Sequence, residues 1–171
     1  MLENSLSVRA QKVAISLVPV VLTILLLTFV TGFFNMQGFS ETRPRVAIIS
    51  VYYWTMFYPR LMPYPAAFLI GIIEDSISGA VFGLSSFILV FTRYLVSQWL
   101  AKQTRQGFIK IWSGFALLLV LLAIIEYIVV ALFSIELPGI EYAVMQGIFT
   151  VLAYPVLHIL FTYIHSITFK S

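Results

Sequence analysis

Apolar residues occupy most of the chain in long runs separated by short polar segments. The first run, residues 13–34, has no charged side chain and is 22 residues long, enough for one membrane-spanning helix of about 20 residues. It is longer than the roughly 7–15-residue apolar core of a signal peptide, and no convincing cleavage site follows it. We therefore interpret it as a retained helix, preceded by a polar segment over residues 1–12.

Five further apolar segments follow, and proline, glycine and charged residues mark their ends. The predicted helices cover residues 44–58, 65–78, 80–100, 111–133 and 142–167. Pro44 suits the first turn of the second helix because it has no N–H to leave unsatisfied, and Pro59 is expected to end that helix. The second and third helices are short, so we expect them to pack between longer neighbours. The pattern predicts an all-α polytopic membrane protein with one domain of six transmembrane helices over residues 1–171.

Composition supports this class and excludes others. Hydrophobic residues make up 61% of the chain and charged residues only 10%, against roughly 25% charged in soluble domains. The chain has no cysteine and two histidines, which excludes disulfides and leaves little material for a metal site. The net charge of +3 is too small and too scattered to indicate nucleic acid.

The basic residues instead predict the orientation in the membrane. Six spans place both termini on one side, and a cytoplasmic N-terminus leaves only Arg43 and Arg45 outside, as the positive-inside rule requires. The cytoplasmic basic residues would be Arg9, Lys12, Arg60, Lys102, Arg105, Lys110 and Lys170. Arg93, inside the fourth helix, is expected to snorkel to the cytoplasmic face.

One apolar segment carries two adjacent carboxylates. On a helix Gly71, Asp75 and Ser78 share a narrow arc, whereas Glu74 lies about 100° away, so one carboxylate is expected to point inward and the other not. Gly71 would allow a close helix approach, and Gly79 would end the helix in a left-handed conformation before a turn of one or two residues. We expect the rest of the chain to be organised around this segment.

Buried acids in a membrane protein need partners or a function. Asp75 lies about 15 Å along the third helix and Glu126 about 22 Å along the fifth. At that depth each could accept bonds from Arg43, Arg45 or loop N–H groups, and we predict a single polar cluster. An ion or proton path is the alternative, but no second set of carboxylates completes one.

The sixth helix carries four residues on one face: Gly147, Tyr154, His158 and His165. We interpret this face as an inward packing surface, because the two histidines lie far from Asp75 and no partner at the same depth completes a metal site. No cofactor is expected. An intramembrane hydrolase is disfavoured because no acid, base and nucleophile share one depth.

The order of several motifs resembles the bacterial rod shape-determining protein MreD family. The motifs are Arg43-Pro44, Tyr53-Trp54, Pro59, Gly71-x-x-x-Asp75-x-x-Ser78-Gly79-x-x-x-Gly83, Glu126, and Gly147 with Pro155. The resemblance covers about residues 43–165. Glu126 stands where the family pattern leads us to expect aspartate, and Glu74 is an additional acid.

The resemblance implies a six-helix inner-membrane protein whose fold is similar to the substrate-binding subunits of vitamin transporters. Its implied role is non-enzymatic, in side-wall peptidoglycan synthesis, with MreC as partner and, through it, MreB, RodA and a penicillin-binding transpeptidase. A vitamin-transporter subunit is the alternative, with Ala10-x-x-x-Ala14 as a weak contact signal. The first helix is chemically plain, so Leu17, Ile24, Leu25 and Thr28 are candidate lipid- or partner-facing positions.

Overall fold

The computed structural model describes residues 2–36, 42–79, 81–100, 107–133 and 139–168, and every regular element within them is helical. The helices are α1 (Leu2–Met36), α2 (Val46–Phe57), α3 (Tyr64–Ser78), α4 (Leu84–Leu95), α5 (Phe108–Phe133) and α6 (Ile140–Thr168), with a π-helical turn (Val96–Leu100) after α4. The all-helical prediction is confirmed. Among the described residues three segments are long and apolar enough to cross a membrane: Leu17–Met36, Phe108–Leu132 and Ile140–Thr168.

The short helix α2 is the centre of the fold. Its first eleven residues, 46–56, are all buried, and Tyr52 and Trp54 are fully inaccessible. It contacts α1, α3, α4 and α6, and the Tyr52 ring also packs edge-on against Phe115 of α5. A helix that is apolar on all sides is buried on all sides. The sequence did not predict this central position of α2; the expectation that the chain is organised around the third helix and its acids stays a prediction, and α3 packs against α4, α1 and α2.

Two predicted boundaries also differ from the structure. The helix α1 starts at Leu2 rather than at residue 13, because residues 2–12 contain no proline or glycine to prevent a helix from extending upstream of the apolar run. The helix α4 starts at Leu84 rather than at residue 80. The α3–α4 connection is consequently longer than the one or two residues expected.

Glycines shape the junction between α3 and α4. Gly79 has φ +66° and its N–H donates to the Asp75 carbonyl, so the predicted left-handed end of α3 is confirmed. Gly83 has φ +93° and precedes the first residue of α4. The predicted close approach at Gly71 is also confirmed, since an added Cβ would collide with the backbone of Ser86.

Candidate functional site: a polar cluster inside the bundle

An ion pair joins the start of α2 to the C-terminal third of α5. The Arg45 Nη1 atom contacts the Glu126 Oε2 atom, and the two side chains are 11% and 29% exposed. The Arg45 backbone N–H also donates to the Thr150 hydroxyl of α6 over 3.0 Å. One residue therefore ties three helices together, and the predicted pairing of an arginine with an interior acid is confirmed.

Asp75 is satisfied by backbone rather than by arginine. Its side chain is almost completely buried, and its two oxygens accept from the Gly83 N–H over 2.7 Å and the Ser85 N–H over 3.0 Å. These amides lie at the N-terminus of α4, where a carboxylate is favoured by the free N–H groups and by the helix dipole. Asp75 in α3 thus caps the N-terminus of α4. Of the partners expected for an interior acid, Asp75 has N–H groups at a loop rather than an arginine.

Glu74 is buried too, so the expectation that only one of the two acids faces inward is wrong. Asp75 bonds to the N-terminus of α4, whereas Glu74 interacts electrostatically with Arg45 and Arg43, which precede α2. Ser78 at the end of α3 donates its hydroxyl to the Glu74 carbonyl over 2.6 Å. Within the described residues, the Glu74 Oε2 atom has no hydrogen-bond partner.

Polar side chains also fasten α2 to its other neighbours. The hydroxyl groups of Thr23 in α1 and Ser50 in α2 form a hydrogen bond. The Tyr52 hydroxyl donates to the Ile111 carbonyl of α5 over 2.9 Å, and the Tyr53 hydroxyl lies 3.0 Å from that of Thr162 in α6. Sequence reasoning missed these contacts, because each pairs residues from segments whose relative rotation the pattern does not define.

Arg93 does not snorkel. It is 8% exposed; its Nε donates to the Met62 carbonyl over 2.6 Å and its Nη2 to the Pro59 carbonyl over 3.1 Å. The guanidinium also lies 5.0 Å from the Tyr64 ring centroid. The α2–α3 connection is rich in proline, so its carbonyls have few backbone donors, and Arg93 supplies the missing ones.

The face of α6 predicted to pack inward does so in part. Tyr154 is fully buried, the His158 ring lies 5.2 Å from that of Tyr53, and the His165 ring stacks on Tyr58 at 3.7 Å. Gly147 is the exception, because an added Cβ there would meet no atom within 4 Å. It lines an open groove between α5 and α6.

The other residues that the sequence singled out lie within helices or directly before them. Trp54 is completely buried in α2, Pro44 precedes α2 and accepts the Val46 N–H over 3.0 Å, and Pro155 lies inside α6. No group of three or more histidine or acidic side chains that could hold a metal ion occurs among the described residues. Arg45, Glu126 and Asp75 bond to one another or to a helix end, so they link helices of the bundle. We call these three residues the internal brace.

These features define the class of protein. It is all-helical in its described residues, its long helices are apolar enough to cross a membrane, and a charged pair joins two of its helices. A family model described as rod shape-determining protein MreD matches residues 10–166. The chain therefore belongs to the MreD family. Neither the curated proteins nor the solved structures gave a significant match. The match reaches about thirty residues further towards the N-terminus than the motifs alone, and so includes most of α1.

Proposed function

We propose that this chain is a non-enzymatic, multi-pass component of the bacterial inner membrane that supports rod shape and side-wall peptidoglycan synthesis. The observation that carries the proposal is the MreD family match across nearly the whole chain. The internal brace is consistent with it, since the carboxylates of Asp75 and Glu126 are occupied by helix capping and ion pairing. A bundle whose helices are joined in this way suits a protein that holds others in place.

The proposed topology has six spans with both termini in the cytoplasm. Arg45 pairs with Glu126 near one end of the bundle, whereas Arg93 binds the α2–α3 connection at the opposite end. This placement agrees with a basic cytoplasmic side that includes Arg60 and Lys110. The short helices α2, α3 and α4 would cross by packing against the long ones, because α2 is covered on all sides.

For the partner surface we propose the outer face of α1. Leu17, Val21, Leu25, Phe29 and Phe33 recur every four residues and are 49–71% exposed, and this spacing aligns them in one stripe. The opposite face, with Thr23 and Leu27, is buried, and α1 contacts α2 and α3. The stripe gives a single-span helix of MreC a continuous apolar surface, and MreC would in turn connect the chain to MreB, RodA and the transpeptidase.

Cysteine crosslinking tests the partner and its surface together. The chain has no cysteine, so Leu25→Cys on α1 and Ile159→Cys on the exposed face of α6 are matched single-cysteine variants. With a cysteine placed along the spanning helix of MreC, we expect a crosslink to residue 25 and not to residue 159. Crosslinks only to residue 159 would exclude α1. A tightly bound vitamin and no MreC after purification would favour a transporter subunit instead.

A further inference from the structure

Glu74 is a buried acid that lies outside the internal brace. The residue is 7% exposed, and its Oε2 atom has no hydrogen-bond partner in the described part of the chain. The carboxylate of Asp75 accepts from two backbone N–H groups, and that of Glu126 is paired with Arg45. Glu74 therefore differs from the other two acids, because no donor compensates a charge on its Oε2 atom.

The charged groups around Glu74 are unequal in number. Among the described residues, two arginines and three acids act electrostatically in this region: Arg43, Arg45, Glu74, Asp75 and Glu126. No ion pair between Glu74 and either arginine occurs among these residues, and Arg45 is already paired with Glu126. With all five side chains charged, the bundle would hold one negative charge in excess.

Within the described residues, the other elements packed against α3 add no charge that corrects this excess. Residues 13–36 of α1 contain no ionisable side chain. The tyrosine hydroxyls of α2 bond to α5 and α6. The charged residue of α4 is Arg93, which binds the α2–α3 connection at the opposite end of α3. A counter-charge for Glu74 therefore has to come from outside the protein.

A proton is the cation that fits this position. A carboxylate that is buried without a counter-ion is much less stable than the neutral acid in the same place, so such a group takes up a proton. The proton also needs no cavity, which suits a side chain as buried as that of Glu74. Asp75 and Glu126 are poorer candidates, because their oxygens are needed as acceptors for N–H groups.

We propose that Glu74 is a proton-binding site, whose carboxyl group is neutral in the folded chain at neutral pH. Two arginines then face two carboxylates, and the excess charge is removed. Loss of the proton would leave a negative charge beside the start of the central helix α2. The inference is independent of which proteins the chain binds.

Infrared spectroscopy tests the protonation state, because the C=O stretch of a carboxylic acid is separate from the bands of a carboxylate. The full chain is purified in a detergent that has no carbonyl group and is measured at neutral pH. Wild-type protein should show a carboxylic-acid band that Glu74→Gln removes. Glu141→Gln, at an exposed acid of α6, should leave the band unchanged. Absence of the band from wild type, or its survival in Glu74→Gln, would overturn the proposal.

Thermal unfolding separates a neutral Glu74 from a charged one that stabilises the arginines. Glutamine resembles the neutral acid, so Glu74→Gln should keep the wild-type midpoint at neutral pH. Glu126→Gln should lower the midpoint, because it leaves Arg45 without its counter-ion. An equal loss in the two glutamine variants would show that Glu74 is charged and would overturn the proposal.

The dependence of the midpoint on pH gives a second readout. Unfolding exposes Glu74 to water, where a glutamate is ionised above about pH 4, so the folded chain binds one proton more than the unfolded chain. Stability should therefore fall as the pH is raised, and Glu74→Gln should show a smaller fall than wild type. The same pH dependence in both proteins would contradict the proposal.

Discussion

The ion pair between Arg45 and Glu126 connects the residue before the central helix α2 to the C-terminal third of α5. Both side chains are largely withdrawn from solvent, so either charge left alone would be poorly compensated. The backbone N–H of Arg45 also binds Thr150 of α6, so Arg45 links both α5 and α6 to the start of α2. Stability should therefore depend strongly on this contact.

Arg45→Ala or Glu126→Ala should each destabilise the protein by on the order of 3 kcal/mol, because each leaves one charge without its partner. The double variant Arg45→Met/Glu126→Leu should be closer to wild type than either single variant, since neither member of the pair is left without the other. Thermal unfolding in detergent measures both effects. Arg60→Ala, at an exposed arginine, is the control and should leave the midpoint unchanged; a midpoint shift as large as that of Arg45→Ala would argue against the role of the pair.

Gly71→Ala should lower the amount of folded protein. The new Cβ would overlap the backbone of Ser86, so α3 and α4 would have to separate at a typical cost of about 1–3 kcal/mol. Gly147→Ala is the matched control, because a Cβ there meets no atom and alanine favours a helix. Comparing the membrane abundance of the two variants checks this. Equal abundance of the two variants would contradict the close packing of α3 and α4 at Gly71.

Gly79→Val should reduce the abundance of the protein in the membrane, and cells in which the variant is the only copy of the protein should be rounded. The substitution should destabilise the fold by about 1–2 kcal/mol, because a residue with a Cβ disfavours the left-handed backbone conformation. Steric overlap adds nothing, because a Cβ at this position meets no atom within 4 Å. Gly107→Val is the control, because it also meets no atom and has no positive φ. Gly79→Asn should be tolerated better than Gly79→Val, as asparagine adopts this conformation more readily. Normal rods with Gly79→Val would contradict the assignment.

Arg93→Lys should destabilise the α2–α3 connection although it keeps the charge. A lysine ammonium cannot bind the Met62 and Pro59 carbonyls in the forked geometry of the guanidinium. We expect a loss of about 1.5–3 kcal/mol, the range for a hydrogen bond to a charged group. Limited proteolysis near Arg60, compared with a site beside Lys110, would locate the effect. Unchanged cleavage at both sites would show that the turn does not depend on Arg93.

Charged and glycine residues carried most of what could be predicted from the sequence. Glu126 predicted its pairing with an arginine because a charge is costly inside a membrane. Gly79 predicted the left-handed end of α3, and Gly71 predicted a close helix approach, because neither has a Cβ. The burial of Glu74 and the carbonyl contacts of Arg93 did not follow, because they depend on how neighbouring helices are rotated.

Apolar periodicity was less informative here than in a soluble protein. Lipid-facing and core-facing positions are both apolar, so the pattern does not separate the fully buried Tyr52 of α2 from the exposed Leu25 of α1. For the same reason the sequence did not identify α2 as the central helix, and it assigned Gly147 to a packing face rather than to an open groove.

The most direct test of the proposed role is purification of the chain from membranes of cells that also produce MreC, followed by quantification of the proteins and small molecules retained. Wild-type protein should retain MreC, and the Arg60→Ala control should retain as much. Arg45→Ala should retain less, in proportion to its loss of folded protein. Absence of MreC from well-folded wild-type protein, with a vitamin bound in its place, would contradict the account.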